Sequence, residues 1–493
     1  MTTTAAAPFE TVIGLEVHAQ ALTQSKMFCG CSIPSLDSPP NTHVCPVCMG
    51  MPGVLPVINR EAVEITVMTG LALNCEIPAE AKFDRKNYHY PDLMKGYQIS
   101  EYDMPLCLNG WLEIEVEGEK KRIGITRVHL EEDTAKSFHV TNQAGETYSL
   151  VDINRAGLPL MEIVSEPDAR SAEEARAYLQ KLRQILRYIG ASRANMEEGN
   201  MRCEPNVSIM PAGSSEFGQK VELKNINSFK HAYDAIKFEE KRQEEVIESG
   251  GRVVQETRGW REDTNQSVSQ RTKEYADDYR YFPEPDLPML ALTPDLVEQI
   301  RSRMPELPDA KHQRFVEEYA LSDYDTRILV ENRARADFFE EAVRISGGNR
   351  SAKAKAIANW MNGDFARLLN STHTEIEDSN IEPEKLAALV ALIDDGSISG
   401  KTAKDVFATM FETGKPPAEI VKAAGLTQIS DTSEIDGAVD AVIAAHPKPV
   451  ADYRGGKEEA IKFLVGQVMR ETKGRARPEV VTDLLRKKLD AQP

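Results

Sequence analysis

No uncharged apolar run in the 493-residue chain approaches the ~20 residues that a membrane-spanning helix needs, so no such helix is expected. The opening "MTTTAAAPFE" lacks both a basic n-region and an apolar h-region, which argues against a secretory signal and makes the cytoplasm the expected compartment. Disulfide pairing is not expected either: seven cysteines, an odd number, in a long chain of this kind point to a reducing environment, where clustered thiols bind metal or do chemistry. Internal repeats and long low-complexity tracts are missing, as are the protein-kinase strings H-R-D and D-F-G. A P-loop is absent too. "DDGSISGKT", residues 394 to 402, places only three residues between Gly396 and Gly400 where four are required, and it follows a helical pattern; it reads as a helix C-cap and turn. "AGSSEFG", residues 212 to 218, is too short and acidic for a serine amidase core and reads as a hairpin loop.

What is present is acidic overall. The net charge of −19 disfavours nucleic-acid binding over the whole surface, because phosphates would be repelled. Charge is segregated, however: residues 454 to 493 hold ten Lys or Arg against six Asp or Glu, and "ETKGRARP" gathers Lys473, Arg475 and Arg477 between two amphipathic helical stretches.

The length calls for two to four domains. Residues 1–290 read as mixed strands and helices, and the remainder as helical by its apolar spacing. The fold class expected is α+β: a large mixed-sheet, cradle-like domain over 1–290, an all-α helical domain over 291–413 and a small helical tail over 414–493. The first boundary is set by the three prolines of "YFPEPDLPML", residues 281 to 290. In "TVIGLEVHAQAL" the residues Leu15, Val17 and Ala19 alternate with Glu16, His18 and Gln20, which predicts a strand with one polar face. "WLEIEVEGEKKRIGITRVHLEED" reads as a hairpin turning at Gly118, its return strand setting Arg127, His129 and Glu131 on one face; "QKVELKNINSF" sets Lys220, Glu222 and Lys224 opposite Val221 and Leu223. "SAEEARAYLQKLRQILRYIG" carries Ser171 as N-cap, Glu174 three residues on, and Gly190 past the end of a helix.

Two clusters suggest metals. Cys29-x-Cys31, thirteen residues, then Cys45-x-x-Cys48 is a ligand set for tetrahedral Zn²⁺, and four thiolates leave no open position, so the ion would staple a loop instead of activating water. Cys75, Cys107 and Cys203 read as core or surface residues. Glu16, His18, Glu131 and Glu222 are carboxylates and an imidazole on polar strand faces, able to hold Mg²⁺; a solvated sheet face is the competing reading. "DRKNYHYPDLMKGYQISEYD" interleaves Arg85, Lys86 and Lys95 with Tyr88, Tyr90, Tyr97 and Tyr102, a mixture suited to stacking on a base and neutralising phosphate, or to a tyrosine-rich loop at a domain edge.

Together, "FETVIGLEVHAQAL", the cysteine cluster with "GMPGVLPVIN", "VDINRAGLPLMEIVSEPD", "ELKNINSF" and "DYRYFPEPDLP" resemble the family of aspartyl/glutamyl-tRNA(Asn/Gln) amidotransferase B subunits over essentially the whole chain. The resemblance implies one member of a heterotrimeric ligase that phosphorylates the side-chain carboxylate of misacylated Glu-tRNA(Gln) or Asp-tRNA(Asn) with ATP, then amidates it. Ammonia would come from the glutaminase (amidase) member of the trimer, held in place by the third, small member, since this sequence carries no glutaminase motif. Carried over residue by residue, Glu16, His18, Glu131 and Glu222 would be the catalytic Mg²⁺ site. Lys86 and Tyr88, with Lys95 and Tyr97, would line the nucleotide and ammonia path, and Lys473, Arg475 and Arg477 would bind tRNA. Within the resemblance, Glu101 stands where the family has glutamine, and Glu204 where it has aspartate.

Two rivals are open to test. One is a non-catalytic tRNA-binding scaffold, whose strand glutamates are merely solvated. The other is a zinc deaminase, which would use His-x-Glu with Pro-Cys-x-x-Cys, whereas this chain reads Glu16-x-His18 and its two further cysteines would saturate the metal.

Overall fold

The computed structural model describes residues 9–272, 276–426, 432–472 and 476–490. Fifteen strands lie in the described first part: β1 (Phe9–Gln20), β2 (Glu80–Ala81), β3 (Asp84–Asn87), β4 (Tyr97–Ser100), β5 (Cys107–Val116), β6 (Glu119–Glu132), β7 (Lys136–Thr141), β8 (Thr147–Asp152), β9 (Pro159–Ser165), β10 (Met201–Pro211), β11 (Val221–Lys224), β12 (Glu256–Arg261), β13 (Gln266–Thr272), β14 (Phe282–Pro283) and β15 (Leu290–Ala291). Eleven form one sheet in the order β13-β12-β11-β10-β1-β9-β6-β4-β3-β14, with β5 also pairing β6. The sheet is mixed: β11 and β12 are parallel, while β1 is antiparallel to both of its neighbours, β9 and β10.

The local chemistry that builds this sheet is simple. Glu117 and Gly118 both take positive φ, 53° and 83°, which is the two-residue turn that matches strand twist and joins β5 to β6. Helices α1 (Arg60–Ala72), α2 (Ala172–Tyr188) and α3 (Phe229–Glu248) supply the other layer. Ser171 caps α2 by accepting from the Glu174 amide at 3.1 Å, Glu174 accepts in turn from the Arg170 amide at 2.7 Å, and Gly190 ends the helix at φ +70°. Tyr178, Leu179, Leu182, Ile185 and Leu186 from α2 join Ile13, Leu15, Val17 and Ala19 from β1 in one buried core. That leaves Glu16 and His18 on the opposite face of β1. Cys75, Cys107 and Cys203 are all buried.

The prolines of residues 281 to 290 interrupt regular structure without releasing the chain. Phe282–Pro283 pairs with β3 and Leu290–Ala291 with β2, and helix Pro294–Arg303 follows, where Arg303 Nη2 reaches Glu64 Oε2 of α1 at 2.7 Å. The first compact unit runs to Leu307, and the second covers 308–493. The second is helical among its described residues and has two cores. Helix Pro417–Ala423, beyond residue 413, adds Ile420 and Val421 to the core that begins at Phe315; a separate core gathers Ile435, Val439, Leu464, Val468, Val481 and Leu485. Gly396 takes φ +74° after helix Pro383–Asp394, and Ser399 caps the helix Gly400–Thr413, so "DDGSISGKT" is a helix end, a turn and a helix start. Among the described residues no helix is long and apolar enough to cross a membrane.

Candidate active site on the polar face of the sheet

Strand register builds the site. Across β1, Glu16 pairs with Glu204 of β10, and His18 pairs with Glu162 of β9. On β9, Glu162 pairs with His129 of β6, two residues from Glu131; on β10, Asn206 pairs with Glu222 of β11. Paired residues share a face, so five strands deliver their acidic side chains to one surface. Two triads result. Ligand atoms of His18, Glu131 and Glu162 lie within 4.8 Å of one another, and so do those of Glu16, Glu204 and Glu222. The four residues singled out in the sequence thus fall into two adjacent groups, each completed by a glutamate that the sequence reading passed over.

In the first triad, His18 Nε2 lies 3.5 Å from Glu162 Oε2 and 3.8 Å from Glu131 Oε1, while His129 Nε2 lies 3.2 Å from the same Glu162 oxygen. Arg127 Nε donates to His129 Nδ1 at 3.2 Å, which leaves the His129 proton on Nε2, facing Glu162. Burial works against a charged His18, yet Glu162, then Glu204 and Glu131, overcome it and raise its pKa to about 9. For Glu162 burial is likewise outweighed, by His129 and His18, and the carboxyl is held well below its ordinary range.

In the second triad each carboxylate is engaged. Glu16 Oε1 accepts from Asn206 Nδ2 at 2.9 Å, Glu222 Oε2 accepts from Thr257 Oγ1 at 2.7 Å, and Lys224 Nζ lies 2.5 Å from Glu204 Oε2 and 3.6 Å from Glu222 Oε1. Against the cost of burial, Lys224 depresses the pKa of Glu204, and Glu204 raises that of Lys224.

The structure separates the four path residues. Lys86 pairs with Gln98 and Ser100 pairs with Glu131, so Lys86 shares the face of the triads. Burial opposes its charge, but Glu131, then Tyr281 and Glu162, hold its pKa high. The Lys86 ammonium sits 5.0 Å from the Tyr279 ring, which meets Tyr88 edge-on at 5.9 Å; Tyr281 stacks on Tyr102 at 4.1 Å. Lys95 instead pairs with Glu132, and Tyr97 lies under the Arg85 guanidinium at 4.4 Å. Successive residues of a strand point to opposite faces, so Glu131 and Glu132 divide these four between the two sides of the sheet.

The cysteine loop sits on the Glu132 side. Sulfur atoms of Cys29, Cys31, Cys45 and Cys48 lie within 4.8 Å of one another, the Cys45 amide donates to Cys48 Sγ at 3.2 Å, and the Lys26 amide donates to the Cys31 carbonyl at 2.9 Å. The hydrogen bond from Cys29, together with the buried Lys26, brings the Cys48 thiol down to about 4 against the cost of burial, while Cys29 is pushed up. Four soft donors in this arrangement fit a tetrahedral metal ion. Two glycines tie the loop to the sheet: a Cβ on Gly50 would come within 2.8 Å of Lys95 Cγ, and one on Gly157 within 3.7 Å of Cys48 Cβ and 4.0 Å of Glu132 Oε2. The far edge of the loop is stitched to the end of β8 and the residues just after it, where the Asn41 amide donates to Asp152 at 2.9 Å and the His43 amide to Asn154 at 2.8 Å.

Comparison with known proteins matches the chain to the GatB/GatE catalytic domain over residues 11–298 and to the GatB domain over 337–489. The chain is 54% identical over 481 residues to the aspartyl/glutamyl-tRNA(Asn/Gln) amidotransferase B subunit of Carboxydothermus hydrogenoformans, covering 98% of this chain and 99% of that one. The B subunit of Thermomicrobium roseum is 55% identical over the same shares, and that of Dehalococcoides mccartyi 52% over 487 residues with 98% and 99% coverage. The chain belongs to the family of aspartyl/glutamyl-tRNA(Asn/Gln) amidotransferase B subunits.

On this polar face, Glu162 carried a sequence signal of the same kind as Glu16: "LPLMEIV" sets one carboxylate among apolar strand residues. "DYRYFPEPD", read as a boundary, returns to the site, for Tyr279 and Tyr281 flank Lys86, and Glu284 accepts two hydrogen bonds from Arg85 at 2.7 and 2.8 Å. In the tail, Lys473 and Arg475 lie outside the described residues, and Arg477 Nη2 rests 3.5 Å from the Gly396 carbonyl.

Proposed function

We propose that this chain is the ATP-dependent kinase and transamidase member of a heterotrimeric tRNA amidotransferase, acting on the side-chain carboxylate of misacylated Glu-tRNA(Gln), Asp-tRNA(Asn) or both. The observation that carries this reading is the pair of triads, His18–Glu131–Glu162 and Glu16–Glu204–Glu222, on one face beside Lys86. Glu131, Glu162 and Glu222 are buried, which speaks against a merely solvated sheet face and hence against a passive scaffold.

A carboxylate is a poor electrophile. In the proposed reaction its oxygen attacks the γ-phosphorus of ATP, ADP leaves, and ammonia then displaces phosphate from the acyl phosphate to give the amide. Such transfer asks for positioning and charge neutralisation more than covalent help. The all-oxygen triad of Glu16, Glu204 and Glu222, bordered by His18 and Glu131, suits Mg²⁺, which when bound would neutralise phosphate charge. Lys86, held charged by Glu131, supplies a second positive group for phosphate, and Tyr88, Tyr279 and Tyr281 shield it from water. Lys95 and Tyr97, on the opposite face with Glu132, are assigned to the path by which ammonia reaches the acyl phosphate from the glutaminase partner, itself clamped by the small third partner.

We assign the four cysteines to a structural Zn²⁺, since a saturated tetrathiolate site has no position for substrate. The first compact unit would house the chemistry, the helices after Pro308 would form the middle domain, and the last helices, with Lys473, Arg475 and Arg477, would bind tRNA in the cytoplasm.

In the reconstituted complex, Glu131→Gln or Glu16→Gln should abolish formation of phosphorylated Glu-tRNA while leaving glutaminase activity intact. Retained phosphorylation would refute the site.

A further inference from the structure

Three carboxylates converge in the second triad, yet their neutralisation is uneven. Asn206 and Thr257 each offer a neutral donor to one oxygen, whereas Lys224 brings a full positive charge to Glu204 at 2.5 Å and Glu222 at 3.6 Å. Its ammonium therefore stands where the carboxylates of Glu204 and Glu222 concentrate negative charge.

A divalent cation drawing on those carboxylates could not coexist with the ammonium at that spot, because two cations within about 4 Å repel strongly in a partly buried site. Lysine is the residue able to leave. Its charge rides on a flexible four-carbon stem. Lys224 is the last residue of β11, its side chain is 27% exposed, and the chain turns away directly after it at Asn225, φ +63°. The exposed part of the side chain gives the ammonium a direction in which to leave, and in the proposed reaction the groups that would take a cationic partner are the phosphates of the nucleotide.

We propose that Lys224 holds the place of the divalent cation in the metal-free protein and surrenders Glu204 and Glu222 when the cation binds, transferring its ammonium to the nucleotide phosphates. The inference rests on the assignment of the triad to Mg²⁺. It makes the lysine a positioning residue that couples metal and nucleotide: neither the ion alone nor the nucleotide alone displaces it as favourably as both together.

The test is Mn²⁺ binding to the full heterotrimer, followed by electron paramagnetic resonance with and without a non-hydrolysable ATP analogue. Without nucleotide, Lys224→Met should bind Mn²⁺ roughly tenfold more tightly than wild type once the competing ammonium is gone. Lys224→Gln, a smaller polar replacement, should do the same, and Lys224→Arg should bind no more tightly than wild type. The analogue should tighten Mn²⁺ binding in wild type and much less in Lys224→Met. Glu222→Gln separates the two levels of the claim. If it loses Mn²⁺ while both neutral Lys224 variants match wild type, the exchange alone is overturned; if it binds Mn²⁺ as wild type does, the metal assignment falls and the exchange with it.

Discussion

His18 Nε2 lies 3.5 Å from Glu162 Oε2, and this pairing sets the charge of an imidazole at the centre of the polar face. A histidine pKa raised to about 9 from 6.5 contributes stability that is complete below pH 6.5 and disappears as pH rises through 9. Metal-free protein should therefore lose stability across that window, by up to about 3 kcal/mol. Glu162→Gln should flatten the dependence. Calorimetric melts of both proteins at pH 6.5, 7.5 and 9 check this, and parallel curves would disprove the pairing.

Gly50 offers a way to disturb Lys95 without touching a charged residue. It takes φ +65°, and a Cβ there would press on Lys95 Cγ at 2.8 Å and on the Lys95 backbone at 3.1 Å. Gly50→Ala should push Lys95 away from Glu132 and reduce glutamine-dependent amidation, while phosphorylation of Glu-tRNA on the other face of the sheet continues. Equal loss of both activities would contradict the division of labour between the faces.

The cysteine loop should behave as a staple. Cys45→Ser should lower bound zinc, measured by mass spectrometry of the metal, and lower the melting temperature of the first unit by several degrees, about the shift expected for 1–3 kcal/mol. At a temperature where the variant stays folded, Glu-tRNA should still be phosphorylated. A folded, zinc-free protein unable to phosphorylate would overturn the structural role.

For the basic tail, replacing Lys473, Arg475 and Arg477 together with alanine should weaken tRNA binding and make the salt dependence shallower, by up to about two to three in the slope of log K against log salt. Arg477 adjoins the Gly396 carbonyl, so a melting curve of the triple variant distinguishes lost tRNA contacts from a loosened turn. Unchanged affinity and slope would remove the tail from the binding surface.

Much of the fold was legible because its signals are local. Alternation and the Glu117–Gly118 turn define the β5–β6 hairpin, Ser171 and Glu174 define the start of α2, and cysteine spacing defines the loop cluster. The site was half legible. Glu16, His18, Glu131 and Glu222 stand out on their own strands, but Glu162 and Glu204 become partners only through the order β10-β1-β9-β6, which no local pattern encodes. The separation of Lys86 from Lys95 likewise depends on the register of two short strands, β3 and β4, against β6. Two-residue strands such as β14 and β15 are too brief for any periodicity, which is why the stretch around Pro283 read as a domain boundary.

The central position of β1 has a consequence for how the molecule is made. It precedes every other described strand of its sheet in the chain, yet the strands that flank it carry Glu162 on one side and Glu204 on the other, some 140 to 190 residues later. Pairings of such sequence separation are slow to form, and until they do β1 keeps two unpaired edges and an apolar stripe of Ile13, Leu15 and Val17 without a cover. The nascent strand is therefore exposed, and the acidic face cannot assemble before synthesis has passed Glu222; a chain stalled short of that point presents an unpaired apolar strand, an aggregation hazard.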